Sequence, residues 1–150
     1  MKTIIIYASV HHGNTKKLVK SMAEAMTADL VDITKTKEPD ISGYDLIGFA
    51  SGIYFNSFHE EIRNFIGRIS FAEHQKVFLA DTCGVAYRDY TAGVRKILEE
   101  KGAVCAGSFQ CRGYDTYGIF GKLGGIARSH PNARDFKRAQ KFCKDILQRQ

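Results

Sequence analysis

Hydrophobic positions along the chain switch repeatedly between two spacings. Lys2 to Ala8 is an unbroken, β-branched run, the pattern of a strand buried on both faces. After a break at His11–Gly13, Leu18, Val19, Met22, Ala23 and Met26 recur at helical spacing. Leu30 to Ile33 reads as a second short strand, and the polar, Pro39-containing stretch from Thr34 to Gly43 as a loop or a frayed helix. Tyr44 to Ala50 is the third strand. Ile62, Phe65, Ile66 and Ile69 trace a helix that opens on Glu60 and Glu61, which suit the positive end of its dipole. Val77 to Ala80 is the fourth strand. Tyr90, Val94, Ile97 and Leu98 mark the next helix, closed by Gly102. Ala103 to Cys111 is the fifth strand, and 133–148 the last helix.

Strands alternating with helices in this way predict a single domain over 1–150 of the α/β class. The expected architecture is a three-layer α-β-α sandwich around a doubly wound, five-stranded parallel sheet in the order 2-1-3-4-5. A closed (β/α)₈ barrel needs about 250 residues, which this 150-residue chain lacks. Ligands in open sheets of this kind sit beyond the carboxyl ends of the strands, so chemistry is sought in the loops that follow them.

Charge adds one feature. Residues 1–121 hold 14 basic and 14 acidic side chains, so the whole net charge of +6 arises in 122–150. There Lys122, Arg128, Arg134, Lys137, Arg138, Lys141, Lys144 and Arg149 face only Asp135 and Asp145. Apolar Phe136, Ala139, Cys143, Ile146 and Leu147 keep helical spacing, which turns most of these cations to the opposite face. That face is either plainly solvated or a docking patch for an acidic protein partner. No nucleic-acid motif accompanies it, and no apolar run reaches the roughly 20 residues a membrane helix needs. Cys83, Cys105, Cys111 and Cys143 form no CxxC pair, so no metal site is expected. Cys105 and Cys111, an even number apart in a strand, are expected on one face. Reduced thiols and the absence of a signal-peptide pattern predict a cytoplasmic protein.

Three loops carry candidate chemistry. Ser9-Val10-His11-His12-Gly13-Asn14-Thr15 leads from the first strand into a helix, and such a turn offers backbone N–H groups and hydroxyls to an anion. It lacks the Gly-Lys-Ser/Thr of a nucleoside-triphosphate loop and the GxGxxG of a dinucleotide fold. A simple helix cap by Asn14 or Thr15 is the structural alternative. Ala50-Ser51-Gly52-Ile53-Tyr54-Phe55-Asn56-Ser57-Phe58 follows the third strand, and Asp81-Thr82-Cys83-Gly84 the fourth. A receiver domain would need an acidic cluster where the first loop has histidines. A low-molecular-weight phosphatase would need Cys-x5-Arg there; Cys83 and Arg88 are one residue short of it and follow the wrong strand.

These three loops, in register at the ends of the central strands, resemble the phosphate loop and the two flavin-flanking loops of the flavodoxin family. The resemblance spans essentially the whole chain and makes the expected fold flavodoxin-like. It implies FMN as cofactor, with Gly13, Asn14 and Thr15 on the phosphate and Ser9, His11 and His12 completing that loop. Ser51, Gly52, Tyr54 and Phe55 would line one side of the ring, and Thr82, Cys83 and Gly84 the other. The family's loop is usually richer in Ser and Thr than Val10-His11-His12. A long segment, 112–131, leaves the fifth strand on the same side of the sheet, where Tyr114, Asp115 and Tyr117 are candidates for the ring's outer edge or for a structural flap.

The implied function is electron transfer by a flavin, with a redox partner protein docking on the basic terminal helix and no catalytic residue required. An NAD(P)H-dependent flavin or quinone reductase on the same fold is one alternative. A flavin-free binding or scaffold domain is the other.

Overall fold

The computed structural model describes residues 1–10, 12–114 and 129–150. The Thr-Ile-Ile-Ile-Tyr-Ala run forms β1 (Thr3–Ala8), with all six residues buried. Helix α1 (Asn14–Met26) lays Leu18, Val19, Met22, Ala23 and Met26 on the sheet. Strand β2 (Asp29–Asp32) is only partly covered, as suits an edge strand. Strand β3 (Leu46–Tyr54) runs four residues beyond Ala50 and then turns back. Phe55 and Asn56, at φ 51° and 63°, make the turn into a two-residue strand, β4 (Ser57–Phe58), antiparallel to β3. Helix α2 (Glu60–Arg68), strand β5 (Lys76–Cys83), helix α3 (Ala92–Glu100), strand β6 (Val104–Arg112) and helix α4 (Ala133–Gln148) complete the described elements. The segment from Thr34 to Gly43 is irregular.

The parallel strands lie in the order β2-β1-β3-β5-β6, which is the expected 2-1-3-4-5 once the short β4 is counted. Among the described residues the sheet therefore has six strands rather than five, because β3 overshoots and folds back on itself. One core fills the space between the sheet and α1 and α4, around Ile5, Phe78, Phe109 and Cys143. A second fills the other side, around Phe49, Phe65, Leu79 and Leu98. Both faces of β1, β3 and β5 are thus buried, which explains their near-continuous apolar sequences.

The strand β6 departs from simple alternation. Val77 pairs with Cys105 but Phe78 pairs with Gly107, so Ala106 is a bulge residue. The extra residue reverses the parity, placing Cys111 in the first core and Cys105 against the second. The expected common face for these two cysteines is therefore not formed. All four cysteines are free thiols.

Helix α4 is capped by Asn132, whose side chain accepts from Asp135 N while the Asp135 carboxylate accepts from Asn132 N, a complete capping box. Its basic side chains, Arg134, Lys137, Arg138, Lys141 and Lys144, are exposed, and Ala139, Cys143 and Ile146 are buried. No helix among the described residues is long and apolar enough to cross a membrane.

Candidate flavin site at the carboxyl edge of the sheet

A pocket opens where the three expected loops converge. Its first wall is the turn after β1. Gly13 is the N-cap of α1 in a left-handed conformation (φ 66°), so neither Asn14 nor Thr15 is the cap. Glycine enters that region without a Cβ penalty, but it brings no side chain to the first-turn N–H groups. Ser9 Oγ accepts from Lys16 N (3.1 Å), so one first-turn N–H is satisfied by a side chain from the preceding loop. The helix dipole makes that end attractive to an anion.

Asn14 and Thr15 line the pocket, yet their side chains also bind neighbouring loops. Asn14 Nδ2 donates to the Tyr114 carbonyl (2.8 Å). A Cβ at Gly113 would lie 2.7 Å from that same amide nitrogen, so only glycine permits the approach. Thr15 Oγ1 and Thr82 Oγ1 share a buried hydrogen bond of 2.9 Å. The first loop is therefore fastened to the ends of both β5 and β6.

The second wall is β3 and its turn, contributing Gly52, Ile53, Tyr54 and Phe55. The Tyr54 hydroxyl accepts from Val10 N (3.3 Å), and its ring meets His59 edge-on at 5.3 Å. Burial raises the Tyr54 phenol above its usual range, so it stays neutral. Phe55 is 85% exposed at the rim, whereas Phe58 is a core residue at 1%. Ser51 is fully buried and outside the lining. Its hydroxyl donates to the Gly52 carbonyl and accepts from His59 N, so it shapes the strand end from below.

The third wall is Thr82, Cys83 and Gly84, with Gly113 and Tyr114 closing the far side. The Cys83 thiol accepts from Gln110 Nε2 (3.2 Å) and donates to the Cys111 carbonyl (3.5 Å). Burial pushes Cys83 up to about 12, which keeps it protonated and rules it out as a thiolate nucleophile at neutral pH. Tyr114 N donates to the His130 carbonyl, and its ring centroid lies 4.3 Å from that of His12. Tyr90, buried, spends its hydroxyl on the Val85 carbonyl and anchors the loop before α3. His11, Asp115 and Tyr117 lie outside the described residues.

Against these positions, the chain matches the flavodoxin domain family over residues 4–123. It belongs to the flavodoxin family. A Methanocaldococcus jannaschii protein, described only as uncharacterized, is 42% identical over 149 residues, 98% of this chain and 99% of that one. Flavodoxin 2 from Bacillus cereus shares the fold end to end, with a TM-score of 0.76 at 16% identity and full coverage of both chains. The Streptococcus pneumoniae flavodoxin gives 0.73 at 13%, again over both full lengths. Rubredoxin oxygen:oxidoreductase from Desulfovibrio gigas gives 0.76 at 12%, and there 98% of this chain covers only 35% of the larger one.

In this flavodoxin-domain chain, Ile53 and Gly113 join the pocket without having been singled out by sequence. Ile53 lies inside the loop quoted after the third strand, but an aliphatic side chain there gives no sign of a binding role. Gly113 carries no signal until the Asn14 contact across the fold is known. Gly13 and His12 are not among the lining residues, but the donors present fit a flavin phosphate: Ser9, Asn14 and Thr15, at the start of a helix without a side-chain cap, line one pocket with Tyr54 and Phe55.

Proposed function

We propose that this protein binds FMN and serves as an electron-transfer protein. The observation that carries the reading is a single pocket that joins an uncapped helix N-terminus to an aromatic strand end. The first suits a phosphate and the second suits a planar, weakly polar ring. In this reading the backbone around Gly13–Thr15 and the Ser9 hydroxyl hold the phosphate, with His12 beside them. Tyr54 flanks the ring from β3, and Thr82–Gly84 flank it from β5. Bound flavin supplies reversible electron acceptance, and the protein tunes it by packing, hydrogen bonding and exclusion of water. Cys83 stays neutral and packs; it does not react.

The test is a titration of flavin-free protein with FMN and, in parallel, with riboflavin, followed by absorbance and fluorescence. FMN is expected to bind with quenched fluorescence and riboflavin at least roughly tenfold more weakly, the loss set by the missing charge-assisted hydrogen bonds. Saturating FMN without spectral change would reject the reading in favour of a flavin-free binding domain.

A further inference from the structure

The Asp81 carboxyl is one of the few buried polar groups of the fold. It is fully buried, and neither oxygen has a hydrogen-bond partner among the described residues. A carboxylate in that state is unfavourable, so an unpartnered buried acid calls for an explanation. Its position supplies one. Asp81 immediately precedes Thr82 and Cys83, both of which line the pocket. Alternate residues of a strand share a face, so its side chain leaves the sheet on the same side as that of Cys83. Ser51 of β3 and Gln110 of β6 flank it in register, and neither bonds to it. Ser51 is engaged with Gly52 and His59, and Gln110 with Cys83.

We propose that Asp81 is a redox-linked proton acceptor, taking a proton from solvent into its carboxyl when the flavin in the adjoining pocket is reduced. The proposal rests on the flavin reading of that pocket. Reduction by an external electron donor adds negative charge near a buried carboxyl whose own charge is helped only by the Cys83 thiol, outside normal hydrogen-bond geometry. One proton from solvent onto Asp81 converts carboxylate to carboxylic acid and offsets one unit of that charge. No covalent bond other than this O–H forms.

The groups around Asp81 favour the neutral acid. Burial first, and the Asp89 carboxylate from the loop before α3 second, raise its pKa to about 8 against the opposing donor effect of the Cys83 thiol. Arg95 of α3 is held by Asp89 and Thr91, and so is spent on another acid. His59, at the start of α2, uses Nδ1 to accept from Glu61 N. Cys111 on β6 is a thiol that burial keeps protonated. Asp81 is therefore neutral below about pH 8 and ionised above it before any charge is added in the pocket. Negative charge on a reduced ring moves that boundary upward, so proton uptake is confined to pH values above about 8.

The experiment uses the full chain loaded with FMN, and the Asp81→Asn variant, each poised against reference dyes between pH 6 and 10. In the wild type the two-electron midpoint potential is expected to fall more steeply above pH 8, by the equivalent of one extra proton per flavin reduced. In Asp81→Asn that extra slope is absent. Infrared difference spectra of the wild type, reduced minus oxidised, are expected to gain a carboxylic-acid C=O band at pH 9 and none at pH 7. This second readout needs no variant. Coincident slopes, or no carboxylic-acid band at pH 9, would overturn the coupling while leaving the flavin reading intact. Failure of FMN to bind in the preceding titration would overturn both.

Discussion

The cost of Asp81 is visible at a single residue even without a flavin. In the unfolded chain it titrates near 3.9, and in the folded protein near 8. Between those values the unfolded state releases a proton that the folded state keeps, so stability falls as pH rises. The slope for one such group is about 1.4 kcal/mol per pH unit. Asp81→Asn removes this dependence. The variant is expected to be more stable than wild type at pH 7, with the gap shrinking towards pH 4; urea unfolding across that range measures it. A constant difference would place the raised pKa in doubt. Local chemistry also decides what could be read beforehand. Gly13-Asn14-Thr15 stands out because helix starts and anion sites draw on few residue types. Asp81 looks like any acid at a strand end until its burial is known.

Helices and strands add constraints that no residue carries alone. The 3.6-residue spacing located α4 with both ends in place, and its start is secured by the Asn132–Asp135 box. Asn132→Ala is expected to lower stability by about 1 kcal/mol, read as a lower denaturant midpoint with unchanged slope. His130 Nδ1 also lies 2.6 Å from Asp135 Oδ2, and the His130 carbonyl accepts from Tyr114 N. The loss of the cap should therefore weaken FMN binding as well as the helix. Strand ends were less legible than helix ends. The run Ser51–Tyr54 mixes small, polar and aromatic residues, so alternation stops signalling at Ala50 although pairing carries on to Ser51 with β1 and to Gly52 with β5. The bulge at Ala106 is signalled only by the neighbouring Gly107, a weak mark inside a strand, and it separates Cys105 from Cys111.

Over the whole molecule, the proposed electron-transfer role sets two surfaces in competition for a partner. The exposed cations of α4 form one. The loops that follow β1, β3 and β5 form the other, where Val10, Phe55, Val85 and Tyr87 are exposed at 53%, 85%, 40% and 66% and Phe55 lines the pocket itself. Apolar groups gathered around a pocket suit close approach to a bound ring, and charges suit steering from a distance. If α4 steers an acidic partner, electron-transfer rates should fall roughly tenfold or more from low to high ionic strength. A rate indifferent to salt would remove that role. Phe55→Ser is expected to slow transfer while shifting stability by no more than about 0.5 kcal/mol, because the side chain is at the surface. Stopped-flow mixing with a dye-reduced partner and a thermal melt separate the two effects.

Layer order and strand polarity were determined by the sequence alone, because buried parallel strands and amphipathic helices each impose a spacing that few other folds tolerate. The family resemblance followed from three short loops at the ends of those strands. Tertiary structure decided the rest. It turned the Asn14 amide onto Tyr114, made Gly13 rather than its neighbours the cap, and exposed Phe55 while burying Phe58. It also sealed Asp81 away from every hydrogen-bond partner among the described residues. Each of these depends on which segments meet across the sheet. Partners distant in the chain set burial and hydrogen bonding, and no local spacing encodes them.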